Sequence, residues 1–280
     1  MYYPVEHKLK SEVAVADVRS FFETHPVFTL EQFRRAVGGR ATDATVRTRV
    51  KYHLGRGHLK LVEQRVYAVV PAGVHLGRFV PDRFLVAAAL REDAVLAYHS
   101  ALELLGYAHS TYRDTFFLTA RRRKDVRLGA GKVRALLHPK PLRDKGDEGY
   151  GVEVRERLGV KLKVTGPERT LVDCLAAPHY AGGVEEALQS ARGIPTLDLE
   201  RVAGYLDRLG QRRLFAVLGF FLEAEAQRLF APPEFLERLA RERPASPTYL
   251  ERRKTGGRLQ QRWNLVVPAR WSRGHESVEV

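Results

Sequence analysis

The sequence predicts an α+β fold on three observations: a helix, turn, helix and hairpin in close succession over residues 29–70, β-branched and aromatic runs in the middle of the chain, and helical periodicity from Pro167 onward. Residues 13–25 give a first helix, with Val15, Val18, Phe21 and Phe22 on its inner face and Pro26 closing it. Thr29, followed three positions on by Gln32, fits a capping box, and the helix it starts turns Leu30, Phe33 and Val37 inward. Gly38-Gly39-Arg40 supplies a turn, because glycine takes positive φ without a Cβ clash. Thr42 caps the next helix, whose Val46, Val50 and Leu54 recur at the spacing of a buried stripe. Gly55 and Gly57 end it, and HLKLVE and VYAVV, split by Gln64-Arg65, read as two paired strands.

This order is that of a winged helix-turn-helix, which makes double-stranded DNA the expected ligand of residues 1–72. Opposite its apolar stripe the second helix presents Ala44, Thr45, Thr48, Lys51 and Tyr52, with Arg47 and Arg49 on the flanks. Short hydroxyl side chains suit base edges, and guanidinium groups suit phosphates or guanine. The expected DNA contacts are therefore Thr42, Thr45, Arg47, Thr48, Arg49, Lys51 and Tyr52, with Arg40 in the preceding turn and Arg65 at the hairpin tip.

Pro71 ends this region, and residues 73–81 form a connector. Helix resumes over Arg83–Leu90 and again in YHSALELLG, where Ser100 is the expected N-cap and Gly106 the stop. DTFFLTA, KVRALLHP and VKLKVTG have strand character, whereas residues 139–150, PKPLRDKGDEGY, read as an exposed loop. ERTLVDCLAA, GVEEALQSAR, LDLERVAGYLDRLG and RLFAVLGFFLEAE are helical. The expected whole is an N-terminal winged helix-turn-helix followed, over 82–230, by a mixed α/β domain with a small sheet and a helical C-terminal half. Residues 231–280 form an extension that either packs back through Trp263 and Leu265 or remains a polar tail.

A chain of 280 residues is long enough for two domains, and its net charge of +14 points to a polyanionic partner. Between Arg121 and Lys145 ten Lys or Arg residues stand against only Asp125 and Asp144. Arg121, Arg122, Arg123 and Lys124 are contiguous and are the expected second set of phosphate contacts. Glycines and prolines interrupt this region, so it makes no basic amphipathic helix for a membrane surface, and no stretch has the apolar length of a membrane span. The single cysteine, Cys174 in TLVDCLA, permits no internal disulfide and reads as a core residue. MYYPVEHKLKSEV lacks the apolar segment and cleavage site of a secretory signal, so the cytoplasm is the expected compartment.

The search for catalytic chemistry is negative. Gly129-Ala130-Gly131-Lys132 lacks the full phosphate-loop pattern, with Val133 in place of the hydroxyl residue, and reads as a turn between basic strands. The ten histidines show neither H-x-x-x-H nor a pairing with cysteines, which leaves zinc without ligands. His99 and Ser100 are neighbours on a helix and diverge by about 100°. The acidic residues of DEGYGVEVRE read as a solvated loop and strand edge, the nuclease alternative having no companion lysine pattern. No catalytic residue, cofactor or metal is expected.

Two further stretches, YHSALELLGY at 98–107 and TGPERTLVDCL at 165–175, resemble segments of the AbiEi-type antitoxins of type IV toxin–antitoxin systems, and the order of elements over about residues 10–230 is similar. The resemblance implies an antitoxin and transcriptional regulator that binds operator inverted repeats, represses its own two-gene operon and counteracts a nucleotidyltransferase-like toxin. The G-S-x-D-x-D signature of that toxin is absent here. In this reading Ser100-Ala101-Leu102 caps and packs one helix, and Glu168 and Arg169 open another, with Leu171, Val172 and Leu175 on its buried face. Two alternatives stand beside it: a stand-alone winged-helix regulator without a toxin, and a protein-interaction module with secondary DNA binding.

Overall fold

Helices and strands alternate through the computed structural model, which describes residues 18–37, 42–251 and 256–272. The fold is α+β, and the chain separates into two units, neither continuous in sequence. The first takes the chain up to Leu96 together with Arg113–Ala135 and Val154–Lys163; the second takes Ala97–Tyr112, Leu136–Glu153 and the chain from Val164.

In the first unit, helix α1 (18–24) is followed by β1 (Val27–Thr29), α2 (Leu30–Val37), α3 (Asp43–Gly55), β2 (Leu59–Glu63) and β3 (Val66–Val69). The capping box forms: Thr29 N donates to Gln32 Oε1 at 2.7 Å, and Gln32 N donates to Thr29 Oγ1 at 3.2 Å. Thr42 caps α3, its hydroxyl accepting from Thr45 N at 3.3 Å. The expected glycine turn, with Arg40 and with Val15 of the first helix, lies outside the described residues. Phe21 meets Phe28 and Phe33 edge to face, at 5.0 and 5.3 Å, over Val46, Val50 and Leu59. Each such apolar side chain stabilises the fold by about 1.5–3 kcal/mol on burial, and each aromatic pair adds about 0.5–1.5 kcal/mol. The hairpin gains a third strand that the sequence does not announce. β1 pairs antiparallel with β3, Val27 opposite Ala68 and Thr29 opposite Val66, in the order β1-β3-β2. Three residues are too few to show an alternating pattern, so only the partner reveals this strand.

The rest of the first unit is α4 (Arg83–Leu90), capped by the Asp82 carboxylate, and most of a six-stranded sheet. Its strands β4 (Val95–Leu96), β5 (Thr115–Thr119), β6 (Val126–Leu128), β7 (Gly131–Leu137), β8 (Val152–Arg157) and β9 (Val160–Thr165) lie in the order β6-β7-β5-β4-β9-β8. The Gly129–Gly131 segment is the β6–β7 turn, with Leu128 opposite Gly131. A Cβ at Gly131 would stand 1.9 Å from the Arg113 carbonyl oxygen, so close approach of backbone explains this glycine.

The second unit is mainly helical: α5 (His99–Leu105), α6 (Lys140–Lys145), α7 (Pro167–Ala176), α8 (Val184–Arg192), α9 (Leu199–Leu209), α10 (Arg212–Ala224) and α11 (Pro233–Arg241). Two expectations are corrected here. Residues 139–150 are not simply a loop, because they hold α6, whose Leu142 is fully buried. Ser100 is not an N-cap: it lies buried inside α5, and Tyr98 holds the cap position with φ 55°. Pro232 and Pro233 start α11, at the positions where a missing N–H costs nothing.

Of the two fates open to the extension, the described residues pack back. β10 (Thr248–Tyr249), β11 (Gly257–Gln260) and β12 (Leu265–Pro268) make a small sheet before α12 (Ala269–Ser272), and Trp263 and Leu265 join the core of the unit. Gly219 of α10 makes room for the indole; a Cβ there would lie 2.0 Å from Trp263. Cys174 is a buried free thiol in the same unit.

The TGPERTLVDCL segment owes its composition to a buried hub. Arg169 is 0% exposed, and its guanidinium donates to the Glu148 and Tyr150 carbonyls at 2.8 and 2.6 Å, meets His138 Nδ1 at 3.2 Å and pairs with Asp173 at 3.4 Å. Tyr205 Oη donates to the other Asp173 oxygen at 2.6 Å. Burial pushes the Asp173 carboxyl up, against the pull of Arg169.

Candidate functional site

Helix α3 divides into a buried stripe, an outer face and two unlike flanks. Val46 and Val50 are buried, whereas Ala44, Thr45, Thr48, Lys51 and Tyr52 are all exposed, Tyr52 at 55%. Two hydroxyl protons here are engaged: Thr48 Oγ1 donates to the Ala44 carbonyl at 2.9 Å, and one of the Thr42 and Thr45 hydroxyls donates to the other at 3.0 Å. Thr48 therefore offers its oxygen lone pairs and a methyl group, which fit amino donors and thymine methyls on base edges. Arg56 lies 5.6 Å from the Tyr52 ring centroid, so cationic charge continues past the end of the helix.

The two arginines expected as a pair lie in different surroundings. Arg49 is half-buried and faces an apolar groove of about 880 Å³ lined by Phe22, Tyr52, His53, His58 and Val70. In that groove His53 and His58 meet Nδ1 to Nδ1 at 3.2 Å; burial, then the charge of His58, lowers the His53 pKa. Arg47 is exposed and lines a separate cleft of about 350 Å³ with Arg34, Arg65 and Arg123. Arg34 is engaged by Asp43 at 3.0 Å and Glu31 at 3.5 Å, and those partners, Asp43 foremost, raise its pKa.

Arg65 occupies the β2–β3 turn with φ 64°, in the left-handed region that costs a non-glycine residue about 1 kcal/mol or more. The turn is held against the start of α2, since Leu30 N donates to the Arg65 carbonyl at 2.9 Å. The basic run is anchored as well. Asp93 accepts from Ala120 N and Thr119 Oγ1, each at 2.8 Å, and from Arg91 Nε at 2.8 Å. Burial opposes ionisation of Asp93, but these bonds, that of Arg91 first, hold its carboxyl well below the usual range. Arg121, Arg122 and Lys124 project into solvent from this anchored base. Arg123 differs: it is half-buried, Nη1 reaches the Leu90 carbonyl at 3.5 Å, and Nε is buried without an acceptor among the described residues.

Thr42, Thr45, Arg47, Thr48, Arg49, Lys51, Tyr52, Arg65 and the 121–124 run all belong to the first unit, and Arg40 lies outside the described residues. Residues missed at the sequence level are Arg34, with its ion pairs across α2 and α3, and Asp93. Neither stands in a pattern that marks it, because each also depends on a distant partner, Asp43 9 positions from Arg34 and Ala120 27 positions from Asp93.

His99 and Ser100 are both buried in the second unit and do not form a nucleophile and base aimed at solvent. His99 stands between two carboxylates, Nδ1 at 2.8 Å from Glu103 and Nε2 at 3.4 Å from Glu186. Burial pushes the Glu186 carboxyl up, but hydrogen bonds from Ser110, Ser190 and His99 outweigh it and lower the pKa. Among the described residues no group of three or more His, Cys, Asp or Glu is placed to hold a metal ion, and no helix is long and apolar enough to cross a membrane.

No family model matches the chain, and no curated protein matches it. Among solved structures, the crystal structure of the RV2827C protein from Mycobacterium tuberculosis is similar over 91% of each chain, with a TM-score of 0.58 and 17% identity. At that identity the likeness speaks to the fold alone.

Proposed function

We infer that this chain is a DNA-binding antitoxin that represses its own operon, with residues 18–70 acting as a winged helix-turn-helix. The observation that carries the DNA-binding half is the continuity of α3's exposed face, through Arg47, with a cleft that also takes in Arg65 and Arg123. In this reading α3 enters the major groove with Thr45 and Thr48 toward base edges and Lys51 and Tyr52 beside them. Arg47 and Arg49 flank it, Arg65 meets phosphate or the minor groove, and Arg121, Arg122 and Lys124 lengthen the backbone contact. The net charge of +14 favours encounter with a polyanion. The antitoxin half rests on the resemblance of YHSALELLGY and TGPERTLVDCL, and the partner it implies is a nucleotidyltransferase-like toxin.

The DNA-binding test is operator binding by the Arg47→Glu, Arg49→Glu double variant, read by fluorescence anisotropy on a duplex from upstream of the gene. Complete loss is expected in a protein with wild-type circular dichroism; tight binding by that folded variant would falsify the assignment of α3. The antitoxin half is tested by co-expression with the product of the adjoining gene. Growth arrest by that product, relieved by this chain, is expected; an innocuous neighbour removes the antitoxin and leaves the regulator.

A further inference from the structure

The cleft beside Arg47 has the composition of an oxyanion site. Its four arginines are not equivalent. Arg34 is engaged by Glu31 and Asp43, the two carboxylates on the cleft wall, whereas Arg47, Arg65 and Arg123 have no carboxylate partner among the described residues. Arg47, Arg65 and Arg123 therefore line one space of about 350 Å³. A buried N–H without an acceptor costs about 1–3 kcal/mol, and Arg123 Nε is in that condition here. The frame is fixed from several sides: the Leu30 bond holds the Arg65 turn, and the Asp93 bonds hold the base of the loop that carries Arg123.

The stereochemistry selects the ligand class. Each guanidinium presents donors in a planar fork, so three of them around one centre call for at least three acceptor oxygens. A carboxylate has two, and a tetrahedral phosphoryl group bears more. We propose that the cleft is a phosphoryl-binding site in which Arg47, Arg65 and Arg123 clamp one phosphate group. That group comes from either the DNA backbone or a free phosphate ester. As a backbone seat the site rests on the DNA-binding reading above; as a site for a free ester it does not.

The experiment uses the full chain and two probes. Inorganic phosphate, titrated against chloride at constant ionic strength, is read as a shift in Tm. A saturable rise is expected, with half-saturation at least tenfold higher in Arg123→Gln and Arg65→Gln and unchanged in Arg78→Gln, which removes the same charge from an exposed position of the first unit outside the cleft and outside the proposed contacts. Arg123→Lys, which keeps the charge and loses the fork, is expected to fall between, and guards against a folding defect in the glutamine variant. For the second probe, the upstream duplex, the slope of log affinity against log salt is measured for the same variants. A slope about 0.9 shallower in Arg123→Gln identifies a backbone phosphate. Saturation by phosphate with an unchanged slope identifies a free ester. If phosphate saturates but the wild type binds no DNA, the DNA-binding reading fails and the cleft stands. If DNA binds while phosphate does not saturate and the slope does not move, the cleft is overturned and DNA binding stands. Equal effects of Arg78→Gln and Arg123→Gln on both probes also overturn it.

Discussion

Arg169 in the second unit and Arg47 in the first carry the same group to opposite ends. Arg169 is fully buried, with two backbone carbonyls, a histidine and a carboxylate around its guanidinium. Arg47 is exposed and has no partner among the described residues. A guanidinium removed from water needs nearly every donor satisfied, so its neighbours are fixed by its own desolvation cost. One left at the surface loses little by waiting for an external anion, so its position is free to serve binding. The high arginine content is thus two populations, and charge alone does not sort them. Arg123 is intermediate, half-buried yet incompletely satisfied.

The largest test of this contrast is Arg169→Ala. It leaves Asp173 buried without its cation and two carbonyls without donors, and should cost about 3–5 kcal/mol in denaturant-measured stability. A loss below about 1 kcal/mol would mean that the hub repacks and the comparison is wrong. A smaller effect is expected where a half-buried carboxylate is the partner. Glu186 has a lowered folded-state pKa, so its contribution is present above the unfolded value of about 4.3 and fades as pH falls through the folded one. The stability gap between wild type and Glu186→Gln should therefore narrow as pH is lowered from about 6 toward 3. A gap that is flat with pH would remove the carboxylate from the account. Thr29→Ala breaks the capping box beside the cleft and should cost about 1 kcal/mol while sparing the hub. At the bottom of the scale, Arg47→Gln and Arg65→Gln should each change stability by less than about 0.5 kcal/mol. If either destabilised the protein as Arg169→Ala does, it would be a structural arginine and the binding surface would shrink accordingly.

Much of this fold can be read along the chain. Capping by Thr29 with Gln32 and by Thr42, the Val46–Val50 stripe, the hairpin, and the helices from Pro167 to Ala224 all form where local spacing places them. Elements that escaped are of two kinds. Strands β1, β4 and β6 have two or three residues each and acquire meaning only from their partners. Helices α6 and α11 begin with prolines, which signal a break in a sequence and a start in a structure. The outer face of α3 was legible because a helix repeats every 3.6 residues. The cleft was not, because Arg34, Arg47, Arg65 and Arg123 share no period.

The sequence by itself determined the α+β class, the helical face of Thr45, Thr48, Lys51 and Tyr52, and the burial of Cys174, since each follows from side-chain chemistry and local repeat. Only the tertiary structure decided that Arg47 and Arg49 face different surroundings, that Arg123 differs from Arg121 and Arg122, and that Arg169 is a core residue. The reason is physical. Periodicity says which side of an element is wet, but the role of a charge depends on what stands against it, and that partner arrives from elsewhere in the chain.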